Sequence, residues 1–244
     1  MKENNTKREI LFTKSLSKNF GGLAAIEDIN IAIKQRSITG IIGPNGSGKT
    51  TLFNVITGYL KATRGDVFYG GERITGIKPH DIVNRGIART FQVPQCCKLL
   101  TIGENIRLAC LRRYAGGAIQ QKMIEFSRIA KIDPFLNLIT TNVPIGYLRR
   151  TEIAIALATN PKLLLLDEPF SGLTDVECLE LSNIIKELHG KITLVIIDHK
   201  LKHLMQIVER VVVLNEGRIF FEGIPEEVSK NPEVQRIYIG GEIN

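Results

Sequence analysis

An apolar run, Ile38-Thr39-Gly40-Ile41-Ile42, breaks into Gly43-Pro44-Asn45-Gly46-Ser47-Gly48-Lys49-Thr50-Thr51. No other stretch restricts the fold of this chain as much. The run reads as a strand buried on both faces. The break matches the spacing glycine, four residues, then Gly-Lys-Ser/Thr. Glycines in that pattern let the backbone curl until its N–H groups point at one centre. The spacing predicts a helix over residues 49–56, which adds N-terminal donors and a dipole. A strand, a loop and a helix so arranged cradle the phosphates of a nucleotide. Lys49 then faces the β- and γ-phosphates, and the Thr50 hydroxyl faces Mg2+. The expected ligand is ATP with Mg2+, contacted along the whole stretch from Gly43 to Thr51.

The rest of the chain supports an α/β fold. Leu163-Leu164-Leu165-Leu166 and Thr193-Leu194-Val195-Ile196-Ile197 repeat the fully apolar strand pattern, which predicts a parallel sheet covered on both sides. Between them, Leu179, Leu181, Ile184, Ile185 and Leu188 recur at helical spacing. The early runs differ. Ile10-Leu11-Phe12, the alternating Ile29, Ile31 and Ile33, and Val67-Phe68-Tyr69 turning through Gly70-Gly71 into Glu72-Arg73-Ile74 predict an antiparallel layer. Residues 93–158 lack strand alternation and read as helical, broken at Gly116-Gly117. One domain is expected over residues 1–244. Its nucleotide-binding core, with the antiparallel layer, spans 1–92 and 159–244, and a helical subdomain spans 93–158.

Two strand ends carry candidate chemistry. The Leu163 strand delivers Asp167-Glu168-Pro169 at the sheet edge where α/β proteins bind ligands. Asp167 is placed to hold Mg2+, and Glu168 to polarise an attacking water. The Thr193 strand delivers Asp198-His199 to the same edge, so His199 is a candidate for the γ-phosphate or the attacking water. His80, His189 and His203 have no such setting.

Composition sets limits. The 244 residues carry 43% hydrophobic and 23% charged residues, an ordinary globular balance. The net charge of +7 is scattered and reads as a solvated basic surface rather than a nucleic-acid footprint. Cys96, Cys97, Cys110 and Cys178 show no zinc spacing and read as reduced thiols of a cytosolic protein. The polar N-terminus has no signal-peptide core. No apolar run reaches the ~20 residues that span a bilayer, so any work at a membrane is expected to go through a partner.

With these motifs in register, the chain resembles the ATP-binding subunits of ABC transporters over essentially its whole length. The resemblance implies further roles. Phe20, in Lys18-Asn19-Phe20-Gly21, matches the aromatic that stacks on adenine. Gln92, in Arg89-Thr90-Phe91-Gln92, matches the glutamine that contacts Mg2+ and senses the membrane subunit. His199 matches the switch histidine, and Ser171-Gly172-Leu173-Thr174 the loop that crosses to a second ATPase subunit. Phe20-Gly21-Gly22-Leu23-Ala24-Ala25, Gly86-Ile87-Ala88-Arg89-Thr90-Phe91-Gln92 and the tail motifs Gly223-Ile224-Pro225-Glu226-Glu227-Val228, Asn231-Pro232-Glu233-Val234 and Tyr238-Ile239-Gly240 are similar to the ATPases of branched-chain amino-acid importers. Lipopolysaccharide-export ATPases share the phosphate loop and the Asp-Glu-Pro region.

The family's Leu-Ser-Gly-Gly-Gln signature is replaced here by Val143-Pro144-Ile145-Gly146-Tyr147, which keeps only Gly146. Pro144 removes a hydroxyl and an N–H from an anion site that serves the opposite subunit. Ile155 and Thr174 also depart from the family pattern.

The resemblance implies a head-to-tail ATPase dimer, homomeric or heteromeric, that hydrolyses ATP and drives transmembrane permease subunits. The solutes implied are branched-chain amino acids or related small polar molecules. The location implied is the cytoplasmic face of the cell membrane, reached only through the permease, with no nucleic-acid partner. A weakly hydrolysing member of a heterodimer and a lipid exporter are the alternatives. A groove beside residues 93–100 is expected to receive the permease, and Leu99, Leu100 and Ile102 serve equally well as docking surface or as helix core.

Overall fold

A computed structural model describes residues 9–238. Residues 1–8 and 239–244 lie outside that range, and with them most of the polar N-terminus and the Ile239-Gly240 end of the tail motif.

The chain opens with β1 (Glu9–Phe20), β2 (Leu23–Ile29), β3 (Ala32–Lys34) and β4 (Ile38–Ile42). β1 runs well past the Ile10-Leu11-Phe12 run because register shifts and a left-handed Ser15 (φ 44°) let it change partners. Its first half pairs with β3, and its last residues pair with β2. After β4 come α1 (Lys49–Ile56), β5 (Arg64–Tyr69) and β6 (Glu72–Arg73). β5 and β6 form the expected hairpin across Gly70-Gly71. The first sheet has the order β2-β1-β5-β6, with β3 on β1.

α2 (Pro79–Asn84) and β7 (Ile87–Arg89) lead into three helices, α3 (Ile102–Cys110), α4 (Gly117–Ile129) and α5 (Ile145–Ala158). Thr101 caps α3 by a reciprocal exchange with Glu104. Gly116, at φ 56°, starts α4 and makes the break expected at Gly116-Gly117. Residues 93–100 are not helical. Leu99 is 87% exposed while Ile102 is fully buried. The apolar run is therefore split between surface and core.

β8 (Leu163–Asp167), α6 (Asp175–Leu188), β9 (Thr193–Ile197), α7 (Leu201–Leu204), β10 (Arg210–Asn215), β11 (Arg218–Gly223), α8 (Pro225–Lys230) and α9 (Pro232–Tyr238) complete the described chain. The second sheet has the order β11-β10-β4-β9-β8-β7. It is parallel from β10 to β7, and β11 closes its edge antiparallel. The apolar runs at residues 38–42, 163–166 and 193–197 predict only β4, β8 and β9 of it. Three-residue β7 is too short to show a pattern. The β10–β11 hairpin did leave a signal, since Val211-Val212-Val213-Leu214 is as apolar as the other strands.

The parallel strands divide two cores. Ile38, Ile42, Leu164, Leu166, Leu194, Ile196, Val211 and Val213 face the helical side. Ile41, Leu163, Leu165, Val195, Ile197, Val212 and Leu214 face α1 and the antiparallel sheet. Alternate side chains therefore enter opposite cores, which explains why these strands are apolar without interruption. The same burial holds the C-terminal ends of β4, β9, β8 and β7 side by side.

Candidate active site

Those four strand ends carry the phosphate loop, His199, Asp167-Glu168 and Gln92, in that spatial order. The loop after β4 depends on its glycines. A Cβ on Gly48, at φ 100°, would stand 2.5 Å from the Ala25 carbonyl oxygen. A Cβ on Gly43 would collide with the Leu214 carbonyl. β2 and β10 thus press the loop into its curl. Ser47 N–H donates to the Pro44 carbonyl, and Gly217 N–H donates to the Ser47 carbonyl. Gly48 caps α1 with no side-chain acceptor, so the helix N–H groups stay open to an anion.

Lys49 Nζ donates to the carbonyls of Gly43 at 2.7 Å and Pro44 at 2.9 Å. Its burial pushes the ammonium below the usual lysine range, and the Glu168 and Asp167 carboxylates oppose that shift. The loop therefore holds one pre-positioned cation beside two carboxylates. Thr50 is exposed and Thr51 half-buried at the start of α1. Asn45 and Gly46 are exposed at the tip of the loop.

Asp167 ends β8 with its side chain 2% exposed. Its Oδ2 pairs with Arg89 at 2.7 Å, and its buried Oδ1 has no hydrogen-bond partner. Arg89 is held in turn by Asn54 Oδ1 at 2.6 Å and Thr57 Oγ1 at 3.3 Å, both from α1 and its C-terminal cap. Phe53 and Phe91 flank its guanidinium. In the sequence Arg89 stands out only as part of the motif that ends in Gln92. An arginine after the apolar pair Ile87-Ala88, facing a predicted carboxylate edge, was the available signal.

Glu168 stands at φ 49°, a left-handed conformation that side chains rarely adopt. Its N–H donates to the Ile197 carbonyl at 2.8 Å, which ties β8 to β9. Gln92 Nε2 donates to Glu168 Oε2 at 2.9 Å. These two candidates, far apart in sequence, are thus in direct contact. His199 Nδ1 lies 3.9 Å from the same carboxylate oxygen, beyond hydrogen-bond reach, and the ring is largely exposed. Asp198, which the sequence reading left without a role, is buried. It accepts N–H bonds from Phe170 at 2.9 Å and Lys200 at 2.8 Å. Burial raises its pKa, against the pull of those N–H donors. It pins the loops after β8 and β9 to each other. His203, which no sequence motif marks, is buried, and its ring reaches Asp175 at 2.9 Å, joining α7 to α6.

Two expected residues stand apart from this cluster. Phe20 ends β1 with its ring about half exposed and Lys18 Nζ 5.0 Å from its centroid. The β2 partner of its hairpin abuts Gly48. Gly146 lies in the first turn of α5, where a Cβ would stand 2.6 Å from Glu177 Oε1. Pro144 is the N-cap and offers no side-chain acceptor. Tyr147 stacks on Phe135 at 4.4 Å. Thr174, which departs from the family pattern, caps α6 with Glu177.

The donor set suits a hard cation. The Thr50 hydroxyl, the Gln92 amide oxygen and the orphaned Asp167 Oδ1 are all oxygens, the chemistry Mg2+ prefers.

A family model described as "ABC transporter" matches residues 26–171. The LivG high-affinity branched-chain amino acid transport ATP-binding protein of Salmonella typhimurium is 34% identical, over 95% of this chain and 98% of its own length. A crystal structure of an ATP-binding cassette of an ABC transporter in its ADP conformation superposes with a TM-score of 0.89 at 32% identity, covering 96% of this chain and all of that one. A dimeric cassette in a post-hydrolysis state with ADP and Pi superposes with a TM-score of 0.80 at 26% identity, covering 88% and 99%.

Proposed function

The chain belongs to the ABC transporter family of ATP-binding subunits, and on that premise we propose that it hydrolyses Mg-ATP to drive uptake of branched-chain amino acids through a partner permease. The observation that supports this most is the junction of Gln92 and Glu168 beside the buried Lys49. It brings the carboxylate, amide and ammonium of the proposed catalytic, sensor and phosphate-binding residues to one sheet edge. The relatives' transported solutes support the choice of amino acids.

ATP binds with its phosphates in the loop at residues 43–51 and its adenine against Phe20. Thr50, Asp167 through Oδ1, and Gln92 would hold Mg2+, which neutralises charge on the β- and γ-phosphate oxygens when bound. Glu168 orients and polarises the attacking water as general base. His199, exposed beside the Asp198 pin, reaches the γ-phosphate or that water. Two chains meet head to tail, so that the Gly146 turn of one closes on the nucleotide of the other. Hydrolysis removes the bridging phosphate, and the dimer opens.

Among the described residues no helix is long and apolar enough to cross a membrane. The permease is therefore the route to the bilayer. The exposed Val93 and Leu99, in the non-helical segment that follows Gln92, form its docking surface. Pro144 at the α5 N-cap supports a second reading, in which turnover is slow and a sister ATPase supplies the better signature turn.

Glu168→Gln tests the assignment. The variant is expected to bind ATP as well as the parent and to lose about two orders of magnitude or more in turnover. Turnover at the parent rate sinks the proposed role of Glu168.

A further inference from the structure

The loop that carries Gln92 changes its anchorage within one residue. Up to Thr90 it belongs to the parallel sheet. β7 pairs with β8, Thr90 N–H donates to the Leu165 carbonyl at 2.9 Å, and Thr90 Oγ1 accepts from Asp167 N–H. From Phe91 onward its main chain is held by the helical side. Arg149 of α5 donates to the Phe91 carbonyl at 2.8 Å and to the Gln92 carbonyl at 2.6 Å. Glu152, one turn further along α5, accepts from Gln95 N–H at 3.1 Å and pairs with Arg149 at 3.3 Å. Asn105 of α3 then takes both the N–H and the carbonyl of Cys97.

Arg149 and Glu152 are 5% and 6% exposed. A buried ion pair adds little net stability by itself. This one spends its bonds on the backbone of a single loop. Two side chains cross back to the sheet: the Phe91 ring lies against the Arg89 guanidinium, and Gln92 reaches Glu168 through its 2.9 Å bond.

We infer that Arg149 and Glu152 are positioning residues for hydrolysis: they fix the main chain of Gln92 to the signature helix, so that the Gln92–Glu168 contact depends on where α5 stands relative to β8. A hydrogen bond of this length is lost when its ends part by about 1 Å. The clasp therefore converts a small displacement of α5 into release of Glu168 from the Gln92 amide. This inference rests on the proposed role of Glu168 and adds a control over it.

A double-mutant cycle on the full chain tests it, with ATP turnover, KM for ATP and thermal unfolding measured for each variant. Arg149→Lys keeps the charge but loses the two-pronged reach to adjacent carbonyls. It is expected to lower kcat about tenfold and to change KM for ATP less than about twofold. In a Gln92→Ala background the same substitution is expected to cost less than about twofold, because the side chain it positions is gone. An equal loss in both backgrounds, or no loss of kcat in the parent, overturns the inference. Should Arg149→Lys fail to fold, Glu152→Gln enters the same cycle, with the same two outcomes. Glu168→Gln in the same assay separates the two levels. Full turnover there removes the role of Glu168, whereas additivity beside an inactive Glu168→Gln removes only the clasp.

Discussion

In the proposed head-to-tail dimer, the phosphate loop at residues 43–51 and the start of α5 at residues 143–147 would form the two halves of one ATP site, and they are built in opposite ways. The loop is hung from a strand buried on both faces, and neighbouring carbonyls leave no room for side chains at Gly43 and Gly48. Its Lys49 is already seated. The start of α5 has a proline N-cap, a glycine pressed against Glu177, and a tyrosine turned onto Phe135. Tolerance differs accordingly. The first half is specified by core packing that also holds the sheet together. The second is held by the contacts of Gly146 with Glu177 and of Tyr147 with Phe135, and its N-cap supplies no side-chain acceptor.

The comparison can be strained at several points. Arg89→Met leaves the buried Asp167 carboxylate without its cation, which is expected to cost about 3–5 kcal/mol of stability. Thermal or denaturant unfolding reads this, and an unchanged midpoint shows that the phosphate-loop half does not rely on core pairing. Lys49→Ala removes the seated cation and is expected to reduce turnover about 10²–10³-fold, measured by phosphate release. Pro144→Ser restores a hydroxyl acceptor at the α5 N-cap. Stability is expected to rise by about 1 kcal/mol, with a several-fold gain in turnover of the homodimer. No gain in turnover means that the α5 half is already adequate.

The smallest effect concerns pH. Burial raises the pKa of Glu152 above the usual carboxylate value, against the pull of Gln95 N–H and Arg149. The folded chain therefore holds this proton to higher pH than the unfolded chain does. The contribution is full below the unfolded pKa and is lost as pH rises through the folded one. Glu152→Gln is expected to flatten the decline in stability just above pH ~4.5, as followed by denaturant titration across pH.

Legibility in the sequence follows the same division. The phosphate loop, β8 with Asp167-Glu168, and β9 with His199 were readable because each joins an unbroken apolar run to a short polar motif. Gln92 and Phe20 become candidates only through family resemblance, since nothing local marks either. Arg89, Arg149 and Glu152 left almost no local trace. Arg89 meets its carboxylate 78 residues on, Arg149 meets backbone carbonyls, and Glu152 accepts a backbone N–H. A backbone partner has no side-chain identity to recognise. Leu99 and Ile102 show a related limit. Composition could not say which faced inward, and the cap at Thr101 decided it by starting α3 there.

Whether the two halves act on one nucleotide from different chains is open to a mixing experiment. Lys49→Ala disables the phosphate loop and leaves α5 intact. Gly146→Asp places a carboxylate at the α5 turn and leaves the phosphate loop intact. Both are first checked for folding by thermal unfolding. Each alone is expected to turn over ATP at a small fraction of the parent rate. Mixed at equal concentration, they regain activity, because one of the two sites in a mixed dimer combines an intact loop with an intact α5. Failure of the mixture to regain activity, or parent-level turnover by Gly146→Asp alone, contradicts a site shared between chains.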